Sequence, residues 1–558
     1  MSELLASVGV LAAAGAAAGA ILLPPGRTRA AMMLVALALF PVLILGDQWH
    51  SRAIADLRDS TGRMVALGAL ALAASAALAF AFRRWPMLLP LAIVAALPFR
   101  VPLQAGGDTA NLLVPLYLVI AGGVLASAVR DWRGRPAGPV AAGDPPPPAV
   151  AKASSRAVPP TAPPAGRALV WLPRILAAVV GLYAVGVLYS EDFSKGLQDV
   201  CFFFVPFSLV YGLLRDVSWD RKLLVLVLWV VALEAVAFVV VGSVEYLSRS
   251  LFWNDQVIRS NEFHTYFRVN SVFWDPNIYG RYLALVAVLA MSALMWARER
   301  RDLALLTALV AIVWIGLFPT FSQSSFVALL GGLAVLAALK WSLRWTLAAV
   351  AGLAVLGVLV VLLAGGSSKL SPNRINIDTS GRANLVSGGI HLFAQRPVYG
   401  YGSGSFPKAY RQHVKTKEVP VSVSHTEPIT IAAEQGLAGL LLYAALVLTA
   451  LWTMASGVRS SLSRISASRA GGAVGGTAPE DALATAGGGG SPAATGPARQ
   501  LAIARAAILA TFTALLVHTM AYAGFYEDPI TWVLLAMGVS LAAAQQRRVE
   551  PCPDTSAA

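Results

Sequence analysis

The chain has little charge and almost no cysteine. Charged residues make up 13% of its 558 residues and hydrophobic ones 57%, with a mean hydropathy of +0.67. Soluble globular domains carry about 25% charged residues, so this composition excludes that class and identifies an integral membrane protein. The two cysteines are Cys201, in an apolar run, and Cys552, in the tail. They are too few and too badly placed for a disulfide framework or a thiolate metal site. No HExxH motif or acidic cluster is present either, so neither a metal nor another cofactor is expected. The net charge of +14 raises nucleic acid as a partner. Lys and Arg fall mainly in short loops between apolar runs, however, where orientation in a bilayer accounts for them. Membrane lipids are the expected surroundings, and no nucleic-acid partner is expected. The N-terminal apolar stretch lacks a positively charged lead-in and has its basic residues after it, so it reads as a retained first span and not a signal peptide.

What is present is apolar sequence in runs near the ~20 residues needed to cross a bilayer. They fall at 4–23, 29–46, 64–82, 86–98, 110–129, 169–189, 197–214, 222–241, 277–296, 302–320, 324–340, 345–363, 427–455, 501–522 and 528–545. The run at 86–98 is short and bracketed by Pro86 and Pro98, which marks it as a broken or re-entrant segment. The expected fold is therefore an all-α polytopic membrane protein of about 14–15 transmembrane helices. If every run spans, the basic loops around Arg27, Arg83, Arg215, Arg298, Lys340, Arg459 and Arg547 share one side, which the positive-inside rule makes cytoplasmic.

Five parts follow from this pattern. Residues 1–129 form an N-terminal helical part and 130–168 a Pro/Ala-rich cytoplasmic linker. Residues 169–455 form a core with extracytoplasmic loops at 242–276 and 364–426. A Gly/Ala-rich linker at 456–500 and C-terminal helices with a tail at 501–558 complete the chain. Both linkers are too poor in apolar residues to build a core and are expected to be disordered. The two long loops are too long for simple turns and mark the extracytoplasmic face as the place for a site.

The chemistry-bearing residues concentrate there. Pro276 starts a helix, Asp275 is placed to meet its free N–H groups, and Asn277 and Arg281 share one face. Arg281 lies about one turn inside the bilayer edge, where a charge either lines a wet cavity or snorkels to the headgroups. Arg268 sits among aromatics just before that helix. Arg382 opens a moderately amphipathic stretch and is suited to holding phosphate beside exposed helix N–H groups. Gly400-Tyr401-Gly402-Ser403-Gly404 has the wrong spacing for a nucleotide fingerprint. It is expected to be a tight turn that brings Phe406 and Tyr410 onto the membrane face. His425 stands where an outside loop re-enters the membrane, placed to take a proton near neutral pH. Glu427 and Glu434 lie two helical turns apart beyond it. Glu434 needs a partner at its depth, with Arg281, Arg268 and His425 as the options. Glu234, a lone acid in an apolar run, suits a hydrogen bond between helices as well as it suits function.

Three stretches together resemble the bacterial O-antigen ligase and O-antigen polymerase superfamily of polytopic membrane glycosyltransferases. They are Arg268 to Asn277 with its FWDPN, Ser380-Gly381-Arg382 with the later Pro397-x-x-Gly400-x-Gly402-x-Gly404-x-Phe406, and SHTEPITIAAEQGLAG from Ser424 to Gly439. The resemblance runs from about Leu182 to Tyr443. It implies a C-type glycosyltransferase architecture, a bacterial inner-membrane location and a glycan donor carried on undecaprenyl pyrophosphate. The acceptor would be a glycan, lipid or protein hydroxyl on the extracytoplasmic side. By that resemblance Arg268 and Arg382 hold the pyrophosphate, with Arg281 beside them. His425 is the general base and Glu434 supports it, without a metal; Asp275, Asn277 and Glu427 are secondary candidates. Thr426 and Gln323 depart from residues usual in the family. Two other readings remain beside the enzyme: a secondary transporter, and a catalytically degenerate partner in cell-envelope polysaccharide export.

Overall fold

Thirteen helices among the described residues are long and apolar enough to cross a membrane. The structure is a computed structural model that describes residues 2–51, 55, 60–105, 108–133, 164–252, 254–263, 266–365, 382–414, 423–463 and 496–549. Most of the two expected linkers, together with Ser380 and Gly381, lies outside the described residues.

The first helices are α1 (Glu3–Leu22), α2 (Arg27–Asp47), α3 (Thr61–Arg84), α4 (Leu88–Ala96), α5 (Val114–Trp132) and α6 (Pro164–Leu188). Then come α7 (Phe193–Leu214, through a π turn at Val200–Phe204), α8 (Arg221–Ser248), α9 (Asp255–Phe263), α10 (Pro276–Trp296) and α11 (Arg300–Leu317). The chain closes with α12 (Gln323–Lys340), α13 (Leu343–Gly365), α14 (Arg382–Gln395), α15 (Phe406–His413), α16 (Glu427–Ala455), α17 (Gly496–Thr519) and α18 (Pro529–Val549). The all-α polytopic expectation holds, with one antiparallel hairpin, β1 (Val101–Ala105) and β2 (Asp108–Leu112), inserted between α4 and α5. Thirteen of the fifteen apolar runs become spanning-length helices, and the run at 345–363 lies within the 23-residue α13.

The remaining run forms α4, only nine residues long. At 1.5 Å per residue it covers about 13 Å, less than half of a ~30 Å hydrocarbon core. It nevertheless joins opposite faces. Its start lines a cavity of about 510 Å³ with Arg29, Arg83, Arg130 and Arg133, whereas Arg100, just past its end, lies within electrostatic reach of Asp528 and Arg281. Proline-bracketed sequence thus makes a half-helix and finishes the crossing in a turn at 97–98 and non-helical chain. A second cavity of about 560 Å³ also gathers basic residues, Arg174, Arg215 and Arg547. These two cavities define the basic face of the bundle; long connections and polar helix starts occupy the other, the loop face.

Helix α16 is also broken. Gly436 has φ 62° and ψ −156°, and a Cβ there would stand 2.4 Å from the Val398 carbonyl oxygen. An unbroken helix would pair the Leu437 N–H with the Ala433 carbonyl. Instead Leu437 N–H donates to Pro397 O (2.7 Å), Tyr401 N–H to Ala433 O (3.0 Å) and Gly402 N–H to Glu434 O (2.8 Å). The 397–404 loop therefore takes up the backbone groups that the break releases, as an apolar setting requires. The same loop wedges against α6 and α7: a Cβ on Gly402, at φ 92°, would meet Ser190 Cα at 2.3 Å. This corrects the expected membrane-facing turn. Phe406 and Tyr410 are buried, packed with Leu392 and Tyr401 under α14. The wedge turns these rings inward.

Three buried carboxylates then fix the loops of this face. Glu245, at the end of α8, accepts from the amides of Asn270 (3.2 Å), Ser271 (2.7 Å) and Phe252 (3.4 Å). Glu427 Oε2 accepts from Gly524 (2.7 Å) and Phe525 (3.0 Å), and Glu434 Oε1 from Phe406 (3.1 Å). Burying such acids is tolerated because several amides replace the lost water.

Candidate functional site

The ends of α10, α14, α16, α17 and α18 meet at the loop face. Asp275 begins α10, its Oδ1 accepting from the Asn277 amide at 2.6 Å, and Asp528 begins α18 in the same way, accepting from the Ile530 amide at 2.9 Å. Each precedes a proline at the first helical position, a pairing that fixes the entry angle of the chain. Arg268 is held by its surroundings. Its Nε donates to Thr320 O (2.9 Å), its Nη2 to Asn277 Oδ1 (3.1 Å), and its backbone pairs with the Asn261 side chain.

His425 adopts φ 61°, a left-handed conformation uncommon for a residue with a side chain. Ser424 holds that turn: its Oγ donates to Thr426 O (2.8 Å), accepts from Thr426 N–H (3.2 Å) and lies 2.8 Å from Thr430 Oγ1. The imidazole is half-buried, with its ring centroid 6.1 Å from that of Tyr522, and its charged neighbours are Arg382 and Asp275. Burial first and the Arg382 charge second lower its pKa from 6.5 to about 4, so it is neutral at pH 7. Arg382 in turn lies within electrostatic reach of Arg268 and Tyr522. Two arginines separated by more than a hundred residues of chain thus come within reach of each other, and Arg382 is the one that faces the imidazole.

Several sequence-derived candidates are already engaged. Arg281 pairs with Asp528 at 2.7 Å, both side chains buried, and not with Glu434. Glu434 is bound to the Phe406 amide, and its charged neighbours are Asp199 and Glu527. The expectation that Glu434 orients His425 or pairs with Arg281 or Arg268 is therefore replaced: the break at Gly436 puts its carboxylate to work on the 404–406 backbone. Glu427 clamps the 524–525 amides. Glu234 accepts from the Tyr282 hydroxyl at 2.7 Å, which is the interhelical hydrogen bond. His518 is fully buried, its Nε2 3.2 Å from Ser324 Oγ.

Against these engaged groups stand Arg100, Arg382, His425 and Glu527, whose side chains make no direct hydrogen bond or ion pair among the described residues. Glu527 reaches solvent, yet the surrounding protein and the nearby Asp199 raise its carboxyl from 4.5 to about 7. Sequence reasoning missed Arg100, Glu527 and Asp528. The Asp-Pro pattern that singled out Asp275 was available for Asp528. Arg100 carried a signal too, as the first charge after a run too short to cross. Among the described residues, no group of three His, Cys, Asp or Glu side chains is placed to hold a metal ion.

A polytopic helical membrane protein with a polar, cation-rich cluster at one face is the class that the fold and the site define. Residues 308–444 match the O-antigen ligase family model, so the chain carries an O-antigen ligase domain and is a glycosyltransferase-type enzyme. That family acts on lipid-linked glycans. The match takes in Arg382, His425, Glu427 and Glu434 but begins after Arg268, Asp275, Asn277 and Arg281. No curated protein matches the chain.

Proposed function

We propose that the protein transfers or polymerises a glycan carried on an undecaprenyl-type lipid pyrophosphate, joining it to an acceptor hydroxyl on the extracytoplasmic side of a bacterial inner membrane. Arg268 and Arg382 hold the pyrophosphate, while Asp275 and Asn277 fix Arg268 and the start of α10. His425 takes the proton from the acceptor hydroxyl as its oxygen attacks the anomeric carbon, and the bond from that carbon to the pyrophosphate oxygen breaks. Charge leaving on the pyrophosphate is met by guanidiniums, which need no proton transfer to stabilise it. The observation that carries this reading is Arg382 standing between Arg268 and an imidazole whose ring nitrogens have no hydrogen-bond partner among the described residues.

An imidazole titrating at about 4 is a weak base. Part of the depression comes from Arg382, however, and an anionic donor on Arg382 cancels that field. Donor binding then raises the basicity of His425 at the moment a base is needed.

The transporter reading asks for charges near the bilayer midplane. Here Asp275, Asp528 and Glu427 are helix starts, His425 precedes one, and Arg268 lies in a loop, all at one face, which favours the enzyme. Incubating the purified protein with a lipid-pyrophosphate glycan and candidate acceptors tests the proposal. Transfer by the wild type that falls sharply in Arg382→Ala, with weaker donor binding, supports it; undiminished donor binding in that variant removes the arginine from the mechanism.

A further inference from the structure

Arg100 is the one guanidinium of this cluster supplied by the front of the chain, well before the O-antigen ligase match. It is half-buried and lies within electrostatic reach of Asp528, Glu527, Arg281 and Tyr117. Asp528 is already paired to Arg281 at 2.7 Å, and Arg100 forms no direct ion pair among the described residues. A charge brought this far into a membrane protein and left without a partner is expensive, and such residues mark ligand sites.

Tyr522 locates it. This side chain has Arg100, Arg281, Arg382 and Asp275 as charged neighbours, and its ring stands 6.1 Å from the His425 ring. Arg100 and Arg382 therefore flank one aromatic side chain that abuts the imidazole. With Arg281 and Asp528 neutralising each other, Arg100, Arg268 and Arg382 face Asp275 around that ring, with Glu527 beside Arg100. While Glu527 is protonated, that leaves an excess of two positive charges, matched to a pyrophosphate diester, which carries two negative ones.

We propose that Arg100 is a third pyrophosphate-binding residue, contacting the donor phosphate more distant from the sugar. The inference rests on the proposed donor and deepens it. The broken crossing has a function in this view. A continuous helix through 86–105 would hold Arg100 on a regular helical face; nine helical residues followed by a turn and non-helical chain deliver it to the loop face instead. Arg268 and Arg382 serve the phosphate that departs from the sugar, and Arg100 distinguishes a pyrophosphate from a monophosphate.

The test is binding of undecaprenyl pyrophosphate and of undecaprenyl phosphate to the full-length protein in detergent, for wild type, Arg100→Gln, Arg100→Lys, Arg382→Ala and Arg83→Gln on the basic face. A lost charged hydrogen bond of this kind corresponds to about ten- to hundredfold in affinity. Arg100→Gln should lose that much for the pyrophosphate lipid and under about threefold for the monophosphate. Arg100→Lys should recover part of the loss, and Arg83→Gln should bind both lipids as the wild type does. If Arg100→Gln binds the pyrophosphate lipid like the wild type while Arg382→Ala does not, the inference fails and the donor reading stands. Equal losses for both lipids in Arg100→Gln overturn its role in discrimination. Wild type that binds neither lipid above the detergent background overturns the donor reading and the inference with it.

Discussion

Arg281 Nη2 lies 2.7 Å from Asp528 Oδ2, joining the second turn of α10 to the start of α18 with both side chains buried. The two residues are far apart in the chain, and Arg281 is also a charged neighbour of Tyr522, whose ring stands 6.1 Å from that of His425. Breaking a buried pair from one side strands the other charge and costs about 3–5 kcal/mol. Arg281→Ala should therefore lower the thermal unfolding temperature markedly, and the double variant Arg281→Met with Asp528→Leu should recover much of that loss. Unfolding curves in detergent check both; a single variant as stable as wild type would show that the pair carries no structural load.

The break in α16 depends on one glycine. A side chain at Gly436 meets both an unfavourable backbone region, worth about 1–3 kcal/mol, and the Val398 carbonyl oxygen at 2.4 Å. Gly436→Ala should destabilise the protein and release the 397–404 loop, read as faster proteolysis between α14 and α15. Gly352→Ala, in α13 with open space around it, should do neither.

Glu245 organises the loop that presents Arg268. Removing its carboxylate strands the Asn270, Ser271 and Phe252 amides, at a cost of about 1–3 kcal/mol for a buried unsatisfied group. Glu245→Ala should weaken donor binding although Glu245 lies in no proposed contact with the donor. Hydrogen exchange over 250–275 reads the cause, and unchanged protection there would contradict it.

Glu527 sets a pH dependence. Its carboxyl is raised to about 7, so it is mostly neutral below that pH and anionic above it. As an anion within reach of Arg100 it competes with the donor for that guanidinium. Donor affinity should fall as pH rises from 6 to about 8, and Glu527→Gln, which cannot ionise, should flatten the profile. A wild-type affinity that is constant or rises over this range contradicts the assignment.

Much of the architecture was legible in the sequence because hydrocarbon length and apolar composition are strong constraints. Thirteen runs became spanning-length helices, and Pro86 and Pro98 announced the broken crossing. In the candidate site, local placement was legible where a residue stood at a helix start: Asp275 before Pro276, and His425 just ahead of α16. What failed was pairing. Nothing local in the sequence says that Arg281 chooses Asp528 over Glu434, because the choice depends on how α10 and α18 pack. The Gly400–Gly404 loop was misjudged for a related reason. Its glycines serve close approach to Ser190, Gly196 and the interrupted α16, which only the tertiary structure brings there.

The central claim is that His425 removes a proton from the acceptor. The most direct measurement is glycan transfer from a lipid-pyrophosphate donor by wild type and His425→Ala, with donor binding followed in parallel. The account predicts that transfer falls by about a hundredfold or more while donor affinity stays within about threefold. Transfer at the wild-type rate by the alanine variant would contradict it.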